Sequence, residues 1–171
     1  MALFSRKKNN MNLSAPQDPK WVHGEGGRFP RFLDLDPEAA GLKGLSGVFA
    51  VWHTGVKPGW VYVGASKDLE QTFYKLGEDK DVLEYRDRGN LYCSWCLIRE
   101  EFQAGVVAFL TLALKPKVDN PDAPDPDTHY KDLKIEMIPV YAPGMEPKEA
   151  SVPGKLPGKL PGKLPSKIPG K

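Results

Sequence analysis

Cysteine is nearly absent: Cys93 and Cys96 are the two in 171 residues. A disulfide-stapled secreted fold is therefore excluded, and in an intracellular setting both thiols stay reduced. Long apolar runs are missing as well. The longest, 106–114, has nine residues and includes Thr111, half of the roughly 18 that a membrane-spanning helix needs. Acid is absent from residues 151–171 and is limited to Asp18 in residues 1–20. The start of the chain has a basic patch, Arg6, Lys7 and Lys8, with no apolar segment behind it, so no secretory signal is expected. Residues 1–17 lack acid but hold a single Arg, which is too little for a mitochondrial presequence. The expected location is intracellular, the cytoplasm first and an organelle as the alternative.

What remains is a globular composition, 40% hydrophobic and 27% charged, with 17 prolines. That is about twice the usual ~5% of proline, so part of the chain should be extended or irregular. The net charge of +2 conceals a segregation. Residues 1–20 sum to +3, residues 151–171 to +5, and the body between them to −6. An acidic body with two basic arms speaks about partners rather than fold.

The C-terminal arm is a repeat of Val/Leu/Ile-Pro-Gly/Ser-Lys with a four-residue period. One apolar residue per period cannot build a core, and Pro-Gly units favour turns and extended chain. The arm reads either as a solvated tail or as a ribbon that lies on a partner, with Leu156, Leu160, Leu164 and Ile168 in pockets and Lys155, Lys159, Lys163, Lys167 and Lys171 on acidic groups. Residues 1–44 read as a second extended arm, broken by Pro16, Pro19, Pro30 and Pro37, whose Trp21, Phe29 and Phe32 can pack on the body. Asp36-Pro37 has the form of a helix start, with Asp as cap and Pro at the first position.

The centre, 45–118, predicts an α+β domain of order ββαβα. A β-branched and aromatic strand at 47–53 turns through Gly55, Pro58 and Gly59 into a second strand at 60–64. Ser66 or Asp68 can cap a helix through Leu69, Phe73 and Leu76. A third strand at 91–98 follows, then a helix from Glu100 to Leu114 that stops before Pro116. Residues 119–150 read as an acidic, Pro-rich loop with an edge strand at 135–141.

Gly47-Val48-Phe49 followed by Tyr62-Val63-Gly64-Ala65-Ser66-Lys67-Asp68-Leu69 resembles the GIY-YIG domain, as does the final helix ending in Leu114-Lys115-Pro116. The resemblance covers roughly 45–120. It implies a three-stranded antiparallel sheet with flanking helices, and Mg²⁺-assisted cleavage of a DNA phosphodiester. Family members draw that chemistry from the tyrosines of both motifs, an Arg in the first helix and a metal-binding Glu in the later helix. Tyr62 and Gly64 keep their places. The first tyrosine falls on Phe49, the Arg on Thr72 and the Glu on Val106 or Val107. Lys75 stands about one turn after Thr72, whereas Glu100 and Glu101 come roughly two turns too early to replace the missing carboxylate.

Other patterns are weaker. Cys93-Ser94-Trp95-Cys96 has CxxC spacing, but there is no second pair, and sulfurs three apart on a strand point to opposite faces. His23, His53 and His129 show no ligand spacing. Four aspartates in 119–127 lack the Gly and closing Glu of a calcium loop. Tyr62 has an ordinary structural role open to it, ring packed and hydroxyl bonded locally. The expectation is a non-catalytic binding or structural subunit of a larger assembly, a degenerate GIY-YIG-like domain without cofactor whose basic arms dock on protein partners. The alternatives are a metal-dependent GIY-YIG endonuclease and a DNA-binding accessory gripping phosphates through Arg6, Lys7, Lys8 and the tail lysines.

Overall fold

Strand β1, Gly47–His53, is apolar at almost every position because both of its faces are covered. In the computed structural model, which describes residues 14–123 and 135–148, β1 lies between two antiparallel neighbours. These are β2 (Gly59–Ser66) and β3 (Leu91–Cys96), giving the sheet order β2-β1-β3. The ladder slips between Val51 and Trp52, so Trp52 faces Trp60. The fold is α+β, as the sequence predicts.

Helix α1, Leu69–Gly77, starts at Asp68, whose carboxylate accepts the Gln71 N–H at 3.4 Å. Ser66 supports that cap by accepting the Asp68 N–H at 2.9 Å. Leu69, Phe73 and Leu76, spaced four and three apart, turn inward and join Phe49, Val51 and Trp95 in the core of one sheet face. A short helix α2, Lys80–Leu83, capped by Asp79 and anchored by buried Val82, adds an element to the expected order. A 3-10 turn over Glu84–Arg88 leads from it to β3.

Helix α3, Glu100–Leu114, covers the other face, where Val106, Val107 and Leu110 meet Val48, Ala50 and Cys96. Lys115 ends it in a left-handed conformation, φ 49°, and Pro116 then bars further helix. Among the described residues no helix is long and apolar enough to cross a membrane.

Two segments depart from expectation. The part of the N-terminal arm that is described, from Ser14, is irregular, with a 3-10 turn at Glu25–Gly27, and lies against its own domain. Val22 donates to the Trp95 carbonyl, Cys93 to that of Pro30 and Phe32 to that of Leu91, at 2.8–3.1 Å. It therefore follows the outer edge of β3, and Pro19 and Pro30, which lack a backbone N–H, help keep it from becoming a regular strand. Asp36 caps a single helical turn there, accepting the Glu38 and Ala39 N–H groups. The expected edge strand at 135–141 is corrected: this segment is extended but does not pair with the sheet. It crosses α3, with Ile138 donating to the Gly105 carbonyl at 3.1 Å, and makes one isolated bridge, Gln17 with Val140. Pro139 has no N–H to give to a ladder.

Candidate functional site around Tyr62

The register of β1 and β2 sets Phe49 opposite Gly64 and Val51 opposite Tyr62. Residues two apart share a strand face, so the Tyr62 ring reaches back to stack on Phe49, centroids 5.8 Å apart and planes 9° apart. Phe73 from α1 meets Phe49 edge-on at 5.3 Å. Gly64 is glycine for want of room: a Cβ there would stand 3.0 Å from Phe49 Cζ and 2.9 Å from Asn120 Nδ2. Asn120 is itself fixed, its Nδ2 donating to the Val63 carbonyl at 3.1 Å and its Oδ1 accepting the Asp122 N–H at 3.0 Å. Thr72 is engaged with Ser66, the two hydroxyls 2.6 Å apart.

Burial pushes the Tyr62 hydroxyl up to about 12, and the carboxylates of Asp122 and Asp79 push in the same direction. The group is thus a neutral phenol at physiological pH. The same two negative charges also oppose a phosphate at this place. Val106 and Val107, 1% and 3% exposed, belong to the core under α3, whereas Phe49 belongs to the core on the opposite face of the sheet. The four positions singled out in the sequence are therefore not gathered at one point. Phe49 and Tyr62 touch, Thr72 is engaged with Ser66, and the valines lie across the sheet.

The residues present do not fit a catalytic divalent metal at the place the resemblance implies, because hydrocarbon stands where its carboxylate would be. Among the described residues no three His, Cys, Asp or Glu side chains converge to hold a metal. Lys75 is exposed in the last turn of α1. Glu100 and Glu101 are exposed in the first turn of α3, where Glu101 pairs with Arg99 at 3.6 Å. The sequence places Asn120 and Asp122 in an acidic loop without bringing them to Tyr62, and gives Asp79 no role. Each comes from a connection, and no periodicity marks a loop residue that folds back onto a strand.

Cys93 and Cys96 divide between the two cores as strand geometry requires, and burial pushes each thiol up to about 12. They are packing residues, free and protonated. His53 is less inert than its isolation in the sequence implies. It is 6% exposed at the end of β1, its Nδ1 has no hydrogen-bond partner among the described residues, and its ring stacks on Tyr85 at 5.8 Å. Lys155, Lys159, Lys163, Lys167, Lys171, Arg6, Lys7 and Lys8 all lie outside the described residues.

Comparison with known proteins yields no matching family model, no similar curated protein and no similar solved structure.

Proposed function

We propose that the chain is a non-catalytic subunit of a larger assembly, built on a degenerate GIY-YIG-like domain whose basic ends engage protein partners. The observation that carries this reading is the Phe49–Tyr62–Gly64 contact. In the family this pair of strands presents two tyrosine hydroxyls. Here one is replaced by a buried phenyl ring and the other belongs to a neutral phenol beside two aspartates. The residue type at 106 and 107 agrees, since valine offers no ligand to a metal. A body of charge −6 is also a poor surface for DNA, which leaves attachment to the two basic ends.

The test has two arms. Full-length protein incubated with single- and double-stranded DNA and Mg²⁺ or Mn²⁺ is expected to leave the DNA intact. Affinity isolation from its native cell is expected to retain a defined set of proteins after nuclease treatment, and to lose them on truncation at Ala150. Metal-dependent cleavage abolished by Tyr62→Phe would replace this reading with the endonuclease. Recovery of nucleic acid alone would favour the DNA-binding accessory.

A further inference from the structure

A groove of about 270 Å³ opens between the segment 32–37 and the outer side of α1, lined by Phe32, Leu33, Leu35, Phe73, Tyr74 and Glu78 among others. Three of those six are aromatic. Leu33 and Tyr74, 44% and 49% exposed, leave apolar surface open to solvent. The surroundings are acidic. Residues 31–38 and 70–78 carry Asp34, Asp36, Glu38, Glu70 and Glu78 against Arg31 and Lys75, a net −3. Of these carboxylates Asp34 pairs with Arg31, weakly, at 3.9 Å. Desolvation and the carboxylates of Asp36, Glu70 and Glu38 raise the pKa of the Tyr74 phenol, so the negative field reaches the groove wall.

The chain carries a segment with the matching chemistry. Proline-rich extended segments dock in aromatic-lined grooves because their backbone is already ordered and their rings lie flat on aromatic faces. Residues 151–171 supply Leu-Pro units at a four-residue period, each followed by a lysine, with net charge +5. We propose that this groove is the intramolecular docking site of the C-terminal Leu/Ile-Pro-Gly/Ser-Lys repeat, with a Leu-Pro unit against the exposed Leu33 and Tyr74, over the buried floor of Phe32 and Phe73, and the lysines on the acidic rim.

Reach is ample. Twenty extended residues span roughly 60 Å at ~3.1 Å each, while a domain of about 110 residues has a radius of gyration near 13 Å. Tethering gives the tail a local concentration on the order of millimolar, so each contact can be weak. The repeat also offers Leu156, Leu160, Leu164 and Ile168 as near-equivalent occupants, multiplying the bound registers by about four. A partner that recognises the repeat then competes with the groove, which holds the arm until that partner arrives. The docking does not depend on the degenerate-nuclease reading: Phe73 in the groove floor also meets Phe49, but the groove needs only α1 and the segment before β1.

The test is a spin label on the full-length chain. Cys93 and Cys96 are fully buried and resist labelling, so Lys163→Cys accepts the nitroxide selectively. Amide signals of Leu33, Tyr74, Gly77 and Glu78 are expected to lose more than half their intensity, and clearly more than those of α3 on the opposite face of the sheet. Adding Glu38→Lys and Glu78→Lys, both exposed, is expected to restore those signals at least twofold. Uniform broadening, none, or broadening indifferent to the charge reversals would overturn the proposal. So would broadening transferred to an unlabelled ¹⁵N chain mixed with the labelled one, which would place the tail on a neighbouring molecule.

Discussion

Phe49 shows how one side chain fixes the character of the sheet face it sits on. Its ring fills the space between Tyr62, Phe73 and the bare backbone of Gly64, and its Cζ points at that glycine. A tyrosine hydroxyl would extend from the same carbon into Gly64 and Asn120. Phe49→Tyr is therefore expected to lower stability by about 1–3 kcal/mol, through overpacking and an unpaired buried hydroxyl, without producing cleavage. Denaturant titration and a plasmid-nicking assay read the two effects separately. Gly64→Ala meets the same contacts from the other side and is expected to cost a similar ~1–3 kcal/mol. His53 contributes a pH dependence. Desolvation lowers its pKa below the ordinary 6.5, and the positive charges of Arg88 and Lys117 add to the shift. The unfolded chain thus binds a proton that the folded chain refuses. Stability is level above pH ~6.5 and falls as the pH drops below it, until the folded-state pKa is passed. Thermal melts at pH 7.5 and 5.5 are expected to show a decline that His53→Gln reduces; an unchanged decline would remove His53 as its cause.

At the scale of elements, α3 owes its place to two backbone details. Gly105 lets the 136–138 segment cross closely enough for the Ile138–Gly105 hydrogen bond, and a Cβ at 105 would run into the Glu136 carbonyl. Gly105→Ala is expected to destabilise by about 1–3 kcal/mol despite the better helix propensity of alanine, as chemical denaturation would show. Lys115 holds a left-handed conformation that costs an L-residue roughly 1 kcal/mol and glycine very little. Lys115→Gly is expected to raise the melting temperature by a few degrees, about 0.5–1 kcal/mol. These details also mark how far the sequence could be read. The strands and long helices were legible because apolar periodicity, Asp68 as cap and Pro116 as stop all act locally. Helix α2 was not, since its four residues bury only Val82 and leave no periodic pattern. The segment 135–141 looked like a strand because extended chain packed on a helix and extended chain in a ladder share a composition, and only the partner differs. Of the candidate site, the placing of Phe49, Tyr62 and Gly64 on paired strands was legible, whereas the placing of Asn120, Asp79 and Asp122 depends on how connections fold back.

At the scale of the whole molecule, the sequence suggests a boundary at residue 45 between an arm and a domain, and packing ignores it. Trp21, Phe32 and Leu42 precede that boundary, and each is at most 4% exposed. Trp21 donates its indole N–H to the Tyr141 carbonyl at 2.7 Å, so the segment before the sheet is bonded to the segment after α3. Val140 and Ala142 complete the same core as Trp21. Burying an apolar side chain of this size stabilises by about 1.5–3 kcal/mol. Losing Trp21, Phe32, Leu42 and Val140 together takes away an amount comparable to the whole ~5–15 kcal/mol of an ordinary domain. Cutting at 45 and 118 also frees the outer edge of β3, whose Leu91 and Trp95 carbonyls and Cys93 N–H are now occupied by Phe32, Val22 and Pro30. A fragment of residues 45–118 is therefore expected to be aggregated or molten, with no cooperative thermal transition. A fragment of residues 14–148 is expected to melt cooperatively, within a few degrees of the full chain. Calorimetry and amide dispersion on the two fragments decide the matter, and a cooperative melt of 45–118 would show that the flanking segments decorate the fold rather than complete it.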